Sequence, residues 1–293
     1  MLNLSFLGGV TKKSPISYID FTNLTHNITY TNTNFPTTLY CWIYFSPDGT
    51  KLFTKDQYTL KEYTLSIPWD VSTLIYNNSK TFSYAQYGYV RDFCFSTDGY
   101  KFMLTKEVSG RTYIYTWDLN PLLNPFELDS FDLLVDTPVL SYFSSDDILS
   151  LNMNNSGSMI NTVSTTYSNP YSLFYNSIHY TPLSYDFSGV STLNRNIVAR
   201  YRPNYATYAT VSRSMFMSND GYTYVWLENN IMQRLAQLIV SNLSVPWDLT
   251  SVETTYNVSI SHIVSTPFNM FFSEDTGKLF ITDSNQRIHE FIL

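Results

Sequence analysis

The chain has 293 residues, a formal net charge of −7, and only 14% charged residues against 17% aromatic ones. So much aromatic surface to bury argues against disorder, and the lack of any Lys/Arg block argues against a nucleic-acid partner. No run of 18 apolar residues occurs, so no helical membrane span is expected.

Residues 1–17 form a leader ahead of the first repeated feature. Its apolar run, Met1 to Val10, is followed rather than preceded by Lys12 and Lys13, which is not the pattern of a secretory signal. Leu2, Leu4, Phe6 and Leu7 make the leader a candidate docking arm, placed either on the chain's own face or in another subunit. Residues 18–293 read as a single domain.

That domain is a repeat, and the first full unit shows its grammar. Tyr44-Phe-Ser-Pro-Asp-Gly49 is a period-two apolar stretch running into an Asp-Gly turn, the signature of a strand entering a hairpin. Lys51-Leu-Phe-Thr returns, Lys61-Glu-Tyr-Thr-Leu gives a third strand, and Pro68-Trp-Asp70 marks a corner before a fourth. The next unit opens at Cys94-Phe-Ser-Thr-Asp-Gly99 and reaches its corner at Pro125-Phe-Glu127. An eroded third copy runs from Asn152-Met-Asn-Asn-Ser-Gly157 to Tyr185-Asp186. The fourth opens at Phe216-Met-Ser-Asn-Asp-Gly221 and ends at Pro246-Trp-Asp248. The fifth, Phe271-Phe-Ser-Glu-Asp-Thr-Gly277, reads as the same turn with one inserted residue, and its third strand ends at Leu293.

Its outer strand is expected from the other end of the chain. Asp20-Phe-Thr-Asn-Leu matches Asp248-Leu-Thr-Ser-Val, and His26-Asn-Ile-Thr-Tyr30 then stands where the outer strand belongs. The corner acids are Asp20, Asp70, Glu127, Asp186 and Asp248, and the next leading apolar residues are Phe45, Phe95, Met153, Met217 and Phe272. The interval between them is 24 to 26 residues in four cases and 31 in the other. Four antiparallel strands at this period predict an all-β, five-bladed β-propeller whose ring is closed by an N-terminal outer strand. A two-layer sandwich is the alternative, but it gives no reason for a match between the two ends.

Cys41 and Cys94 fall three positions apart in equivalent strands. That is about 10 Å of strand, beyond the ~7 Å limit for a disulfide, so both are expected as free, buried thiols. The four histidines, His26, His179, His262 and His289, show no metal-ligand spacing, and no nucleophile or phosphate-loop motif is present. His289, in a terminal strand, reads as a structural imidazole. No cofactor, metal or enzymatic activity is expected.

The repeated acids suit turns: Asp48, Asp98, Asp220 and Asp275 as hydrogen-bond acceptors in the Asp-Gly turns, Asp70 and Asp248 as acceptors at the corners. Trp69 and Trp247 are expected to pack between blades. The competing reading is glycoside hydrolysis, which needs carboxylates converging at separations of ~5–9.5 Å.

Features that break the repeat are better candidates for function. The unit between Gly157 and Gly221 is the longest and most divergent, and eight tyrosines lie between Tyr167 and Tyr208. Tyr175 and Tyr185 fall on repeat positions and read as core. Tyr167, Tyr171, Tyr180, Tyr201, Tyr205 and Tyr208 fit either core or a contact face for protein or sugar. Arg195, Arg200 and Arg202 share the stretch and suit carboxylate anchoring or aromatic stacking.

Tandem units of the form F-S-x-D-G-T-K … P-W-D-x-S-T resemble the propeller repeats of phage and other viral structural proteins and of bacterial surface proteins. Residues 45–73 match that pattern closely and 216–252 in part. The resemblance implies a virion structural protein, a head or tail component assembled in the host cytoplasm. Its partners would be other virion proteins. The alternative is a carbohydrate-binding or glycan-active propeller with a host-surface glycan as ligand.

Overall fold

The computed structural model describes residues 18–31, 41–56, 58–82, 89–96, 98–108, 111–118, 122, 124–129, 137–144, 146–153, 159–168, 173–182, 196–201, 210–230, 235–246 and 251–293. Among them, strand β1 (Thr25–Thr31) precedes four complete meanders. The first is β2 (Trp42–Phe45), β3 (Lys51–Lys55), β4 (Thr59–Leu65) and β5 (Leu74–Thr81). The second is β6 (Tyr89–Phe95), β7 (Lys101–Val108), β8 (Arg111–Asp118) and β9 (Thr137–Ser144). The third is β10 (Asp146–Met153), β11 (Met159–Ser168), β12 (Leu173–Pro182) and β13 (Asn196–Tyr201). The fourth is β14 (Thr210–Met217), β15 (Thr223–Asn230), β16 (Leu235–Leu243) and β17 (Val252–Ser259). Then come β18 (Pro267–Ser273), β19 (Lys278–Asp283) and β20 (Arg287–Ile292).

Each meander is a four-stranded antiparallel sheet, and the last three strands take β1 as their fourth, in the order β1-β20-β19-β18. The protein is therefore all-β. Each sheet's first strand lies against that of the next: β2 on β6, β6 on β10, β10 on β14, β14 on β18, and β18 on β2.

The core lies between sheets. Phe53 of one sheet packs with Phe93, Phe95 and Phe102 of the next, and Phe45 and Trp69 join Phe280 and Ile288 across another boundary. Phe21, just ahead of β1, is buried with Phe216 and Phe272. Facing sheets stand about 10 Å apart, a gap that large flat rings fill well. The outer strands β5 and β17 have the same largely exposed pattern, as expected of strands farthest from the first-strand contacts.

The Asp-Gly and corner motifs fit together. Gly49 has φ +70° and Gly99 φ +74°, a conformation that glycine adopts without steric cost. Trp69 and Phe126, themselves at φ +64° and +58°, lie over these two glycines. A Cβ on Gly49 would stand 2.2 Å from Trp69 Cε2, and one on Gly99 2.4 Å from the Phe126 ring. The backbone fixes the match: Trp69 N donates to Gly49 O at 2.9 Å and Phe126 N to Gly99 O at 3.1 Å. Trp69 then stacks on Phe271 and Phe280 of the neighbouring sheet at 6.2 and 6.5 Å, which makes it the expected wedge. Trp247 and Asp248 lie outside the described residues.

One expectation about the turns is corrected. The fifth Asp-Gly turn carries no inserted residue: Phe272 faces Leu279 just as Phe45 faces Leu52, so the two hairpins have equal length. The glycine has moved one position along, and a Cβ on Gly277, at φ +64°, would stand a comfortable 3.6 Å from Leu293 Cβ.

Candidate functional site

Five of the repeated acids, Asp48, Asp98, Asp220, Asp70 and Asp20, act as turn or corner acceptors, whereas Glu127 takes the side chains of Asn124 and Lys51. Asp48 Oδ1 takes the Ser46 hydroxyl at 2.6 Å and the Thr50 amide at 3.1 Å. Burial pushes its pKa up, but these bonds outweigh burial and hold it below the usual carboxylate range. Asp98 and Asp220 repeat the arrangement with Ser96 at 2.5 Å and Ser218 at 2.6 Å. At the corners, Asp70 caps a 3-10 turn (Val71–Thr73) through the Ser72 amide at 2.9 Å, and Asp20 takes the Thr22 amide at the same distance. The Thr22 bond holds Asp20 below the usual range.

A second set of acids, not singled out in the sequence, lies in the third strands. Glu62 on β4 is buried and pairs with Lys51 at 3.0 Å. Lys51 Nζ also donates to Phe126 O at 3.0 Å, and Glu62 Oε2 accepts the Leu128 amide at 2.8 Å, so the pair bridges two sheets. Glu290 on β20 is fully buried and pairs with Lys278 at 3.1 Å, and Lys278 Nζ reaches Trp69 O at 3.4 Å. The outer strands complete both sites: Asn77 Nδ2 donates to Glu62 Oε1 at 3.2 Å and Asn27 Nδ2 to Glu290 Oε1 at 2.9 Å. Asn77 and Asn27 are each the extra residue of a bulge, opposite Glu62/Tyr63 and Glu290/Phe291. Tyr30 adds a hydroxyl to Glu290 Oε2 at 3.0 Å, and burial together with that carboxylate raises the phenol's pKa. The signal for these sites was present as a Lys at the start of a second strand and a Glu in the third.

A polar relay follows on the same seam. Asp283, His289, Thr29 and His26 are linked in turn at 3.1, 2.9 and 3.0 Å. His289 is thus a hydrogen-bonded, buried imidazole, as its place in the repeat suggested.

Both cysteines are free and buried. Burial pushes the Cys41 thiol up to about 12 and raises Cys94 as well, so neither offers a thiolate near neutral pH.

Of the candidate contact residues in the divergent unit, the structure describes Tyr167, Tyr180, Arg200 and Tyr201 at the level of strand register. Tyr167 pairs with Phe174, Arg200 with Ser177 and Tyr201 with Asn176, so these three gather toward one end of the sheet. Tyr180 pairs with Asn161 and Asn196, four residues along β12 from Asn176 and toward the other end. Tyr171, Arg195, Arg202, Tyr205 and Tyr208 lie outside the described residues, as do Leu2, Leu4, Phe6 and Leu7.

No family model matches the sequence, and no curated protein matches it. Solved structures are similar in shape at low identity. The PQQ domain of a pyranose dehydrogenase from Coprinopsis cinerea aligns with a TM-score of 0.47 at 11% identity, over 86% of this chain and 81% of that one. A chain of a nidogen/laminin complex aligns with a TM-score of 0.48 at 11% identity, over 80% and 69%. Hydrazine synthase of Kuenenia stuttgartiensis aligns with a TM-score of 0.45 at 13% identity, over 87% of this chain and 57% of that one.

Proposed function

We propose that the chain is a five-bladed propeller closed by β1 and that it serves as a non-enzymatic interaction module of a virus particle. Closure is supported by the duplicated Lys–Glu–Asn site. In the last blade the asparagine comes from residue 27, and in the first from residue 77 of the blade's own outer strand. Deleting residues 1–30 would bare the β20 edge, a template for intermolecular pairing. The truncated protein is expected to aggregate or to melt much lower, and a monomer with unchanged melting would refute the closure.

The observation that carries the interaction reading is the use of the recurring acids. Asp48, Asp98, Asp220, Asp20 and Asp70 each accept local turn or corner hydrogen bonds, so the features that follow the repeat serve the scaffold. Function then belongs to what departs from the repeat: the leader, and the tyrosine- and arginine-rich third unit. The viral setting rests on the resemblance of the F-S-x-D-G … P-W-D units, with other virion proteins as partners. Mass spectrometry of purified particles from the source virus tests it. Recovery in stoichiometric amount supports the reading. Absence from intact particles, or turnover in a glycan screen, overturns it.

A further inference from the structure

His26 and His289 meet at the seam where β1 joins β20, and their hydrogen bonds run in one direction. Asp283 Oδ2 accepts from Arg287 Nε at 2.7 Å, Arg287 NH2 at 2.5 Å and His289 Nε2 at 3.1 Å. Oδ1 accepts the amides of Asn285 and Arg287 at 2.8 and 3.0 Å. Burial opposes its ionisation, but these donors hold Asp283 below the usual range. An ionised carboxylate only accepts, so His289 Nε2 must carry a hydrogen. In the neutral ring Nδ1 is then an acceptor, 2.9 Å from Thr29 Oγ1, and the threonine hydroxyl donates to it. Thr29 Oγ1 in turn accepts from His26 Nε2–H at 3.0 Å. The chain His26 to Thr29 to His289 to Asp283 ties the N-terminal strand to two strands of the C-terminal hairpin.

Proton counting shows what breaks it. One added proton on His289 makes Nδ1 a donor, and Thr29 can turn its hydrogen toward a neutral His26. With both rings charged, Thr29 faces two N–H donors and its own hydrogen has no acceptor in the chain. Two imidazoliums then stand with centroids 6.2 Å apart. Asp283 pairs with a charged His289 at 3.1 Å but shares that oxygen with Arg287, and the pairing does nothing for the crowded Thr29 hydroxyl. Glu290, the next acid on β20, is engaged by Lys278, Asn27 and Tyr30. Burial, His289 and His262 already hold the His26 pKa below the ordinary histidine value. His26 therefore favours the docked strand while neutral. That contribution is present above the ordinary histidine pKa and is lost as the pH falls toward the lower folded-state value.

We propose that the β1–β20 seam is an acid-released latch, in which protonation of both His26 and His289 frees the N-terminal strand while the rest of the fold stays intact. The inference goes beyond the functional reading and rests only on the strand pairing. Hydrogen–deuterium exchange of the full-length chain at pH 7.5 and pH 5 tests it. Protection of residues 25–31 is expected to fall about tenfold or more at pH 5, as for a local opening, while β15 and β16 keep theirs. His26→Gln, whose amide can donate or accept without titrating, is expected to abolish most of that response. Equal protection of 25–31 at both pH values overturns the proposal, and so does a wild-type pH response in the glutamine variant.

Discussion

Replacing Gly49 by alanine tests the fit between turn and corner, because Gly277 supplies an internal control. Both glycines have positive φ, +70° and +64°, so alanine pays the left-handed backbone strain at either site, roughly 1–2 kcal/mol. At Gly277 nothing more is added, since the nearest atom is Leu293 Cβ at 3.6 Å. At Gly49 the new methyl would sit 2.2 Å from Trp69, whose ring is held by Phe45, Phe271 and Phe280. A buried aromatic hides about 150–250 Å², or about 4–6 kcal/mol at about 25 cal/mol per Å². Forcing Trp69 off half of that contact costs about 2–3 kcal/mol more. Gly49→Ala should therefore destabilise by about 3–5 kcal/mol and Gly277→Ala by about 1–2. Urea unfolding followed by far-UV circular dichroism reads both. In a Trp69→Leu background, with the large ring gone, the Gly49→Ala cost should shrink toward that of Gly277→Ala. If the two alanine variants are equally destabilised, or the Gly49→Ala cost in the Trp69→Leu background stays within about 0.5 kcal/mol of its cost in the wild type, the reasoning fails.

Glu290→Ala leaves the Lys278 ammonium facing a buried, unpaired site and should cost about 3–5 kcal/mol in thermal or urea unfolding. The paired change Lys278→Met with Glu290→Leu should recover much of that loss; equal destabilisation by both would show that the pair is not the unit that matters. Glu274 bonds the Asn219 amide of the neighbouring sheet at 2.6 Å; burial, with Asp220 and Asp275 nearby, pushes its pKa up to about 7. A raised carboxylate favours the fold below its unfolded value, and that contribution is lost as the pH rises through about 7. Glu274→Gln should therefore raise the melting temperature at pH 8 relative to wild type and leave little difference at pH 4. A uniform offset at both pH values would contradict the assignment.

The strand order and the permuted N-terminal strand were legible because they rest on backbone punctuation. Asp48-Gly49, Pro68-Trp69-Asp70 and their copies are fixed by turn geometry, which tolerates few residues. Asp20 reproduced the Asp248 context closely enough to locate β1. The fifth turn was misread because spacing was counted to the glycine, whereas the register depends on the distance from Phe272 to Lys278. The Lys–Glu–Asn sites were missed because their members lie on separate strands, with the asparagine 15 residues from the glutamate in one site and 263 in the other, and a lone Glu in an alternating strand looks like a solvated position. The His26 relay joins residues 260 apart and becomes visible only once the two ends share a sheet.

The contacts between sheets show how a role can recur without a recurring residue. In three sheets a donor on the second strand reaches a carbonyl at the start of the next sheet. Lys55 Nζ bonds Val90 O at 3.0 Å, Asn229 Nδ2 bonds Pro267 O at 3.3 Å, and Thr282 Oγ1 bonds Cys41 O at 2.8 Å. A buried carbonyl needs any donor of the right reach, not one particular side chain. Lys55 spans the gap as a cation over Trp42, with its nitrogen 4.0 Å from the ring centroid, whereas Thr282 does so with a hydroxyl. The bonds all run from one sheet to the next in chain order, and the Thr282 bond carries that direction from the last sheet to the first. A lost donor at any of the three would remove a hydrogen bond from a carbonyl of the next sheet, whatever the side chain that supplied it. Sequence repeats record the positions where backbone geometry restricts the residue, and these donors fall where only hydrogen-bonding capacity is restricted.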